Sequence, residues 1–277
     1  MAIVHITLEP PPAHPGHARL LIPKPPATWH QTLLDVDVPG AEEMLDIQAS
    51  NSSQQGFVVT LGEVKCVSIR YEFGPPSETV PEWLWTVVDN NYVRASNELR
   101  DLVRTITQDA ETEGAKLRRL IDHTTERFTY DHPESRFNAG HELVPPLTCG
   151  ITPGNCVHIN TYILASLLAV PIRATYIAGY FFDAKQPIAD NMHCWIATEA
   201  DGAVEFWDIA HHQLYGLGVV ETALNPAPGT RFAMSAGRGL VFHADQHRIE
   251  VSHFAKPIWL FADGTSQDAK LEARITL

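Results

Sequence analysis

The chain has 277 residues, 44% hydrophobic and 19% charged, which supplies a sizeable core and excludes wholesale disorder. Its net charge of −13 argues against nucleic acid and anionic membrane surfaces as partners. Cysteines at positions 66, 149, 156 and 194 do not make the dense disulfide framework of a small secreted domain and suit a reducing compartment.

At the N-terminus, Met1 to Glu9 carries neither a basic segment nor a long apolar one, so no signal peptide is expected. No apolar run reaches the length of about 20 residues that spans a bilayer, and a cytoplasmic location follows as the default. The first elements read as strands: Ile3 to Leu8, Ala18 to Ile22, Glu43 to Ala49, Phe57 to Leu61, and Val67 to Phe73 with strict alternation. Prolines at 10–12 and from Pro23 to Pro26 punctuate them and favour a small antiparallel β domain over helices. Gly74-Pro75-Pro76-Ser77 marks its expected end, which divides the chain into an N-terminal β domain, 1–76, and a second domain, 77–277, that includes the C-terminal strands. From Pro81 a helix is expected, with Trp83, Leu84, Val87 and Val88 on one face. A second helix, Ala115 to Phe128, places Leu117, Leu120, Ile121, Thr124 and Phe128 together. Thr129 to Asn155 is long for a connection and is expected to form one wall of a cleft. Val157 to Ala169 reads as an apolar helix, and the chain then returns to strands at Leu240 to His243, Arg248 to Ser252, Pro257 to Phe261 and Lys270 to Thr276.

The chemistry concentrates around Gly154-Asn155-Cys156. Asn is a good helix cap and Gly permits close approach, so Cys156 falls in the first turn of the helix that follows. There the free N–H groups and the positive end of the helix dipole favour a thiolate. Downstream, His193 to Thr198 and Ala203 to Asp208 read as two strands of a hairpin around Glu199-Ala200-Asp201-Gly202. A four-residue loop sets His193 opposite Asp208; a two-residue Asp-Gly turn sets Ala200 opposite Ala203 and Asp208 opposite Trp195. Either loop puts the imidazole and the carboxylate on one face. Cys156, His193 and Asp208 are thus the parts of a nucleophile, its base and the group that orients the base.

These segments resemble the transglutaminase-like superfamily of papain-related folds. The matching pieces are Phe128-Thr129-Tyr130-Asp131, Gly154-Asn155-Cys156, the run Val170-Pro171-Ile172-Arg173-Ala174 continuing to Gly179-Tyr180, His193-Cys194-Trp195, and Phe206-Trp207-Asp208. They span Leu117 to His212. Asn155 stands where relatives often have Asp, and Cys194 where they often have Ala. The resemblance implies an α+β fold in which the helix bearing the nucleophile packs on an antiparallel sheet, with Cys156 as nucleophile, His193 as base and Asp208 as orienting carboxylate. It implies acyl chemistry on an amide or peptide bond through a thioester, with no cofactor. Peptidase- or amidase-type hydrolysis is the leading expectation. Transfer to an amine, as in transglutaminases and amide-forming enzymes, is the first alternative, and a catalytically silent protein-binding module the second.

The implied substrate is a peptide, a protein or a small amide. The backbone N–H of Cys156 is a natural oxyanion donor, and Tyr130, Asn138 and His141 are candidates for a second, with Tyr130 favoured by its place in the Phe-Thr-Tyr-Asp stretch. Cys149 and Cys194 are expected to be packing residues. A zinc site drawn from Cys149, Cys156, His158, Cys194, His211 and His212 is not predicted, because neither Cys-x-x-Cys nor His-Glu-x-x-His spacing occurs. The 3.6-residue period turns His158 away from Cys156, as a surface or packing side chain. There is no Asp-x-Asp-x-Asp-Gly calcium loop and no dinucleotide fingerprint.

Overall fold

The computed structural model describes residues 1–9, 19–62, 66–77 and 79–277. The prolines at 10–12, and Ala18 at the start of a predicted strand, lie outside them. In chain order the elements are β1 (Ala2–Leu8), β2 (Arg19–Pro23), β3 (Thr32–Asp37), β4 (Ala41–Gln48), β5 (Gln55–Leu61), β6 (Val67–Gly74), α1 (Asn97–Thr107), α2 (Glu113–Arg127), β7 (Phe128–Tyr130), β8 (Thr152–Gly154), α3 (Cys156–Leu168) and β9 (Arg173–Asp183). There follow β10 (Ile188–Ala189), β11 (His193–Ala200), β12 (Ala203–Trp207), α4 (Ile209–Leu214), β13 (Gly229–Ala236), β14 (Leu240–Ala244), β15 (His247–Val251), β16 (Ile258–Leu260), β17 (Ser266–Asp268) and β18 (Leu271–Thr276). The class is α+β, with few helices and mostly antiparallel sheets.

Two compact units divide the chain: Met1–Thr86 with Ala178–Met192 and Gly229–Leu277, and Val87–Ile177 with His193–Pro228. Of the strands after Asp208, which the sequence reading grouped in 77–277, β16 pairs with β2 and β18 with β1. β18 pairs antiparallel with β1 from Ile3↔Thr276 to Leu8↔Leu271.

The first unit holds two five-stranded sheets, in the orders β10-β18-β1-β6-β3 and β17-β16-β2-β5-β4, and the hairpin β14-β15. Alternation in the sequence becomes alternation in burial: along β6, Val67, Ile69, Tyr71 and Phe73 are buried while their neighbours are half-exposed. Leu21, Val58, Phe242, Ile249, Phe254 and Leu260 belong to one hydrophobic cluster. β4 is exposed on nearly every residue and carries Glu42, Glu43 and Asp46, as suits an edge strand. Two buried glutamines act in place of backbone. Gln31 donates from Nε2 to the Ala233 carbonyl and accepts from the Ala233 N–H, both at 2.8 Å. Gln54 accepts from Ala236 N–H at 2.9 Å and donates to the carbonyls of Lys24 and Gln55.

Between the predicted β domain and α1 the sequence reading needs correction. The helix expected from Pro81 is a single 3-10 turn, Glu82–Trp85, and Thr86 is already extended at φ −80, ψ 109. Of its predicted apolar face only Leu84 is buried. The β-branched run Thr86-Val87-Val88 disfavours continuation. α1 begins later, with no counterpart among the predicted elements, where Ser96 caps it by accepting from the Leu99 N–H at 3.2 Å.

In the second unit, α3 is buried at almost every position from Cys156 to Leu167 and is the central helix. α2 lies against it with Leu117, Leu120, Ile121 and Thr124 buried, the predicted face. β11 packs on α3 and pairs with β12. Asp201 and Gly202 have φ of +50° and +78°, the signature of a two-residue type I′ turn, and the ladder runs from Ala200↔Ala203 to Ile196↔Trp207. The two-residue register is therefore the one adopted, and His193 is not directly opposite Asp208. Asp201 also ties the turn to the start of α2, accepting from the N–H groups of Glu113 and Gly114 at 3.2 and 2.9 Å.

Candidate active site

Cys156 is the first residue of α3, and Asn155 caps the helix, its side-chain oxygen accepting from the N–H groups of Val157 and His158 at 3.0 and 3.3 Å. Gly154 is required immediately before. A Cβ there would come within 2.8 Å of the Phe128 ring and 3.1 Å of the His158 Cβ. β7 and β8 pair in parallel, Phe128↔Thr152 to Tyr130↔Gly154, so both ends of the long segment expected to wall the cleft meet beside the start of α3.

Asn160, one turn beyond Cys156 and so on the same side of α3, donates to the Cys194 carbonyl at 2.9 Å and lies 3.4 Å from its sulfur. Cys156 itself bonds Cys194 through both side chain and backbone. This contact anchors the helix start to the residue next to His193. Cys156 is 7% exposed and Cys194 fully buried.

The protonation of Cys156 differs from the sequence expectation. The side-chain hydrogen bond to Cys194, then burial, then the charges of Cys194 and Asp208 push the thiol well above its ordinary range, while the Cys194 N–H pulls the other way. The helix terminus is present, but these influences outweigh it and favour a thiol at rest.

His193 begins β11 and Asp208 ends the hairpin as the cap of α4, with φ −138 and ψ 77. His193 Nε2 lies 2.7 Å from Asp208 Oδ2, reached diagonally across the hairpin. Asp208 is fully buried, and its other oxygen accepts from the His211 N–H at 2.9 Å. The Oδ2 contact commits His193 Nε2 to the carboxylate.

The sequence reading gives His211 no role in this group. Its ring stacks on His193 with centroids 3.8 Å apart and planes 18° apart, and its Nδ1 is 3.4 Å from Asp208 Oδ2. The signal was the spacing Asp208-x-x-His211 at a helix start, which puts the third helical residue back over the cap. His193, Asp208 and His211 each present a ligand-type atom within 4.8 Å of the others. A metal held at about 2.0–2.1 Å from an imidazole nitrogen lies in that ring's plane. The planes of two stacked rings so nearly parallel do not meet within such a bond length, so the cluster as placed is a hydrogen-bonded one.

Tyr130 is half-buried, and burial followed by the charges of Cys156, Cys194, Asp208 and Tyr215 raises its pKa, which keeps the hydroxyl a donor. Asn138 and His141 are not drawn into the group: the His141 N–H donates to the Asn138 carbonyl in a local turn, and His141 is exposed. His158 is buried edge-on to Phe137 with ring centroids 6.1 Å apart. Cys149 and Cys66 are exposed, and all four cysteines are free thiols.

The family model described as transglutaminase-like superfamily matches residues 100–204, a span that holds Cys156 and His193 and stops just short of Asp208. No curated protein matches the chain. Among solved structures, a candidate cysteine protease from Cytophaga hutchinsonii aligns over 99% of this chain and 89% of its own, with 13% identity and a TM-score of 0.54. A candidate protease from Parabacteroides distasonis aligns over 65% of this chain and 38% of its own, with 11% identity and a TM-score of 0.32, too low to carry an argument. The first likeness is one of fold. Residues 100–204 are thus similar to the transglutaminase-like superfamily, and the family match does not extend to the rest of the chain.

Proposed function

We propose that the chain is a cysteine hydrolase that cleaves an amide or peptide bond through a thioester on Cys156. The observation that carries this reading is the buried His193–Asp208 pair, joined at 2.7 Å, with His193 on the strand whose next residue holds Cys156. In the reaction, His193 Nδ1 takes the thiol proton as the Cys156 sulfur attacks the carbonyl carbon. Asp208 holds Nε2 and stabilises the imidazolium that forms. The Cys156 N–H at the start of α3 and the Tyr130 hydroxyl donate to the oxyanion. Collapse breaks the C–N bond, the imidazolium returns its proton to the leaving amine, and the acyl group stays on sulfur. Water, deprotonated by His193, then releases the acid and restores the thiol.

A resting thiol fits this sequence, since base and nucleophile ionise together during attack. The substrate is a peptide, protein or small amide, and the kinship with protease-like folds supports hydrolysis over transfer. The free thiols support a reducing, cytoplasmic setting. Among the described residues no helix is long and apolar enough to cross a membrane.

The test is release of amine from a panel of peptide amides by the wild type and by Cys156→Ser, with and without a primary amine. Loss of activity by about 10⁴-fold or more in Cys156→Ser, with unchanged circular dichroism, supports the reading. Incorporation of the amine in preference to water would replace hydrolysis by transamidation, and equal activity in the variant would overturn the thioester.

A further inference from the structure

Asp208 holds His193 at Nε2, and one face of the imidazole is covered by a second histidine. His211 stacks on it at 3.8 Å, is itself 6% exposed at the side chain, and has the Tyr215 ring edge-on to it at 5.3 Å. His211 is therefore clamped between two rings. Its position is fixed from below as well, because its own N–H donates to Asp208 Oδ1. The result is one carboxylate facing two imidazoles: Oδ2 is 2.7 Å from His193 Nε2 and 3.4 Å from His211 Nδ1.

We propose that His211 is a positioning residue for the base: stacked on His193 and turned toward the same Asp208 oxygen, it fixes the imidazole plane and keeps His193 neutral until the thiol proton arrives. The inference rests on the reading of His193 as the base of Cys156. Its physical content has two parts. A ring held on one face cannot rotate about χ2, so Nδ1 stays aimed for proton transfer instead of sampling other directions. Two imidazolium charges at that spacing would repel strongly in a buried site with a single counter-charge, so the pair titrates as a coupled unit in which only one ring is readily charged.

Other titratable groups lie on the elements that carry or flank the pair. α4 and its flanks contribute Asp208, His212 and Tyr215; β11 contributes Cys194; α3 contributes Cys156 and His158; β7 contributes Tyr130. Asp208 is the anion among them whose carboxylate lies against both rings. His212 is occupied elsewhere, with Nδ1 on the Asp208 carbonyl at 2.9 Å and Nε2 accepting from Glu221 N–H at 3.2 Å.

Two variants separate the two parts. His211→Phe keeps a stacked ring but removes its proton and its contact with Asp208; His211→Ala removes the stack as well. The first measurement is the titration midpoint of the His193 ring by NMR, in the full chain carrying Cys156→Ser, with and without His211→Phe. The midpoint is expected to rise in His211→Phe, because Asp208 then serves one imidazole. The second is iodoacetamide alkylation of Cys156 against pH in the otherwise wild-type chain. His211→Ala is expected to lose about tenfold in plateau rate, His211→Phe to restore most of it, and the acid limb of His211→Phe to move upward. An unchanged His193 midpoint in His211→Phe overturns the proposal, as does a plateau rate in His211→Ala equal to that of the wild type. If His211→Ala does not fold, the His211→Phe midpoint decides alone. Alkylation directed to Cys149 in the wild type would sink the nucleophile assignment, and the NMR comparison would still decide the role of His211.

Discussion

At the start of α3, opposite influences meet on one sulfur. The helix terminus stabilises negative charge, but Cys194 offers Cys156 a thiol partner and seals it from water, and the buried Asp208 charge adds to the opposition. The residue between His193 and Trp195 therefore tunes the nucleophile candidate. Cys194→Ala is expected to lower the pKa of Cys156 by removing the side-chain bond and the nearby sulfur, and to speed its alkylation at pH 7. Each unit of downward shift multiplies the thiolate about tenfold. Alkylation profiles of the two proteins, with the modified peptide located by mass spectrometry, check this; an unchanged or raised pKa would contradict it. The placement of Cys156 at a helix start and of His193 beside Asp208 was legible in the sequence because the cap, the order and the turn spacing constrained them. Cys194 as a partner, Asn160 as its anchor and His211 as a stacked ring were not, since each depends on how α3, β11 and α4 meet.

The elements differ in how much of their geometry was local. Asp201-Gly202 sets a hairpin through its own backbone preferences, and both sequence alternatives kept His193 and Asp208 on one face, so their meeting did not depend on which register formed. The strands β1 and β6 were equally legible from alternation. By contrast, the stretch after Pro81 had helix-like apolar spacing but a β-branched run, and one 3-10 turn was all that formed. Gly179, in β9, shows a requirement invisible without a neighbour: a Cβ there would lie 1.9 Å from the Phe232 carbonyl oxygen of β13. Backbone cannot yield as a flexible side chain would. Gly179→Ala is expected to destabilise the first unit by about 3 kcal/mol, read as a lowered urea midpoint; a loss within experimental error would show that β13 can move aside.

At the scale of the whole chain, the first unit is assembled from three separate stretches, and no local pattern announces that β18 will lie beside β1. This is why a boundary at residue 76 was a natural reading and why the C-terminal strands were grouped with the catalytic core. The same assembly brings Arg231 toward His30. Burial first, and then the Arg231 charge, lower the pKa of His30 to about 4 from 6.5. Between those values the unfolded chain binds more protons than the folded one, so the stability held in this site is complete above about pH 6.5 and is lost as pH falls toward 4. A urea midpoint that falls from pH 7 to pH 5 in the wild type, and falls less in His30→Gln, is the expected result; equal slopes would remove His30 as the cause. Gln31 has a consequence for behaviour in concentrated solution. Among the described residues β13 is the last strand of its sheet, and a terminal strand ordinarily presents backbone donors and acceptors on which another molecule can template itself. Here the Gln31 amide already occupies both the N–H and the C=O of Ala233. It stands in for one residue of a neighbouring strand, so a second molecule could pair through Ala233 only by displacing it.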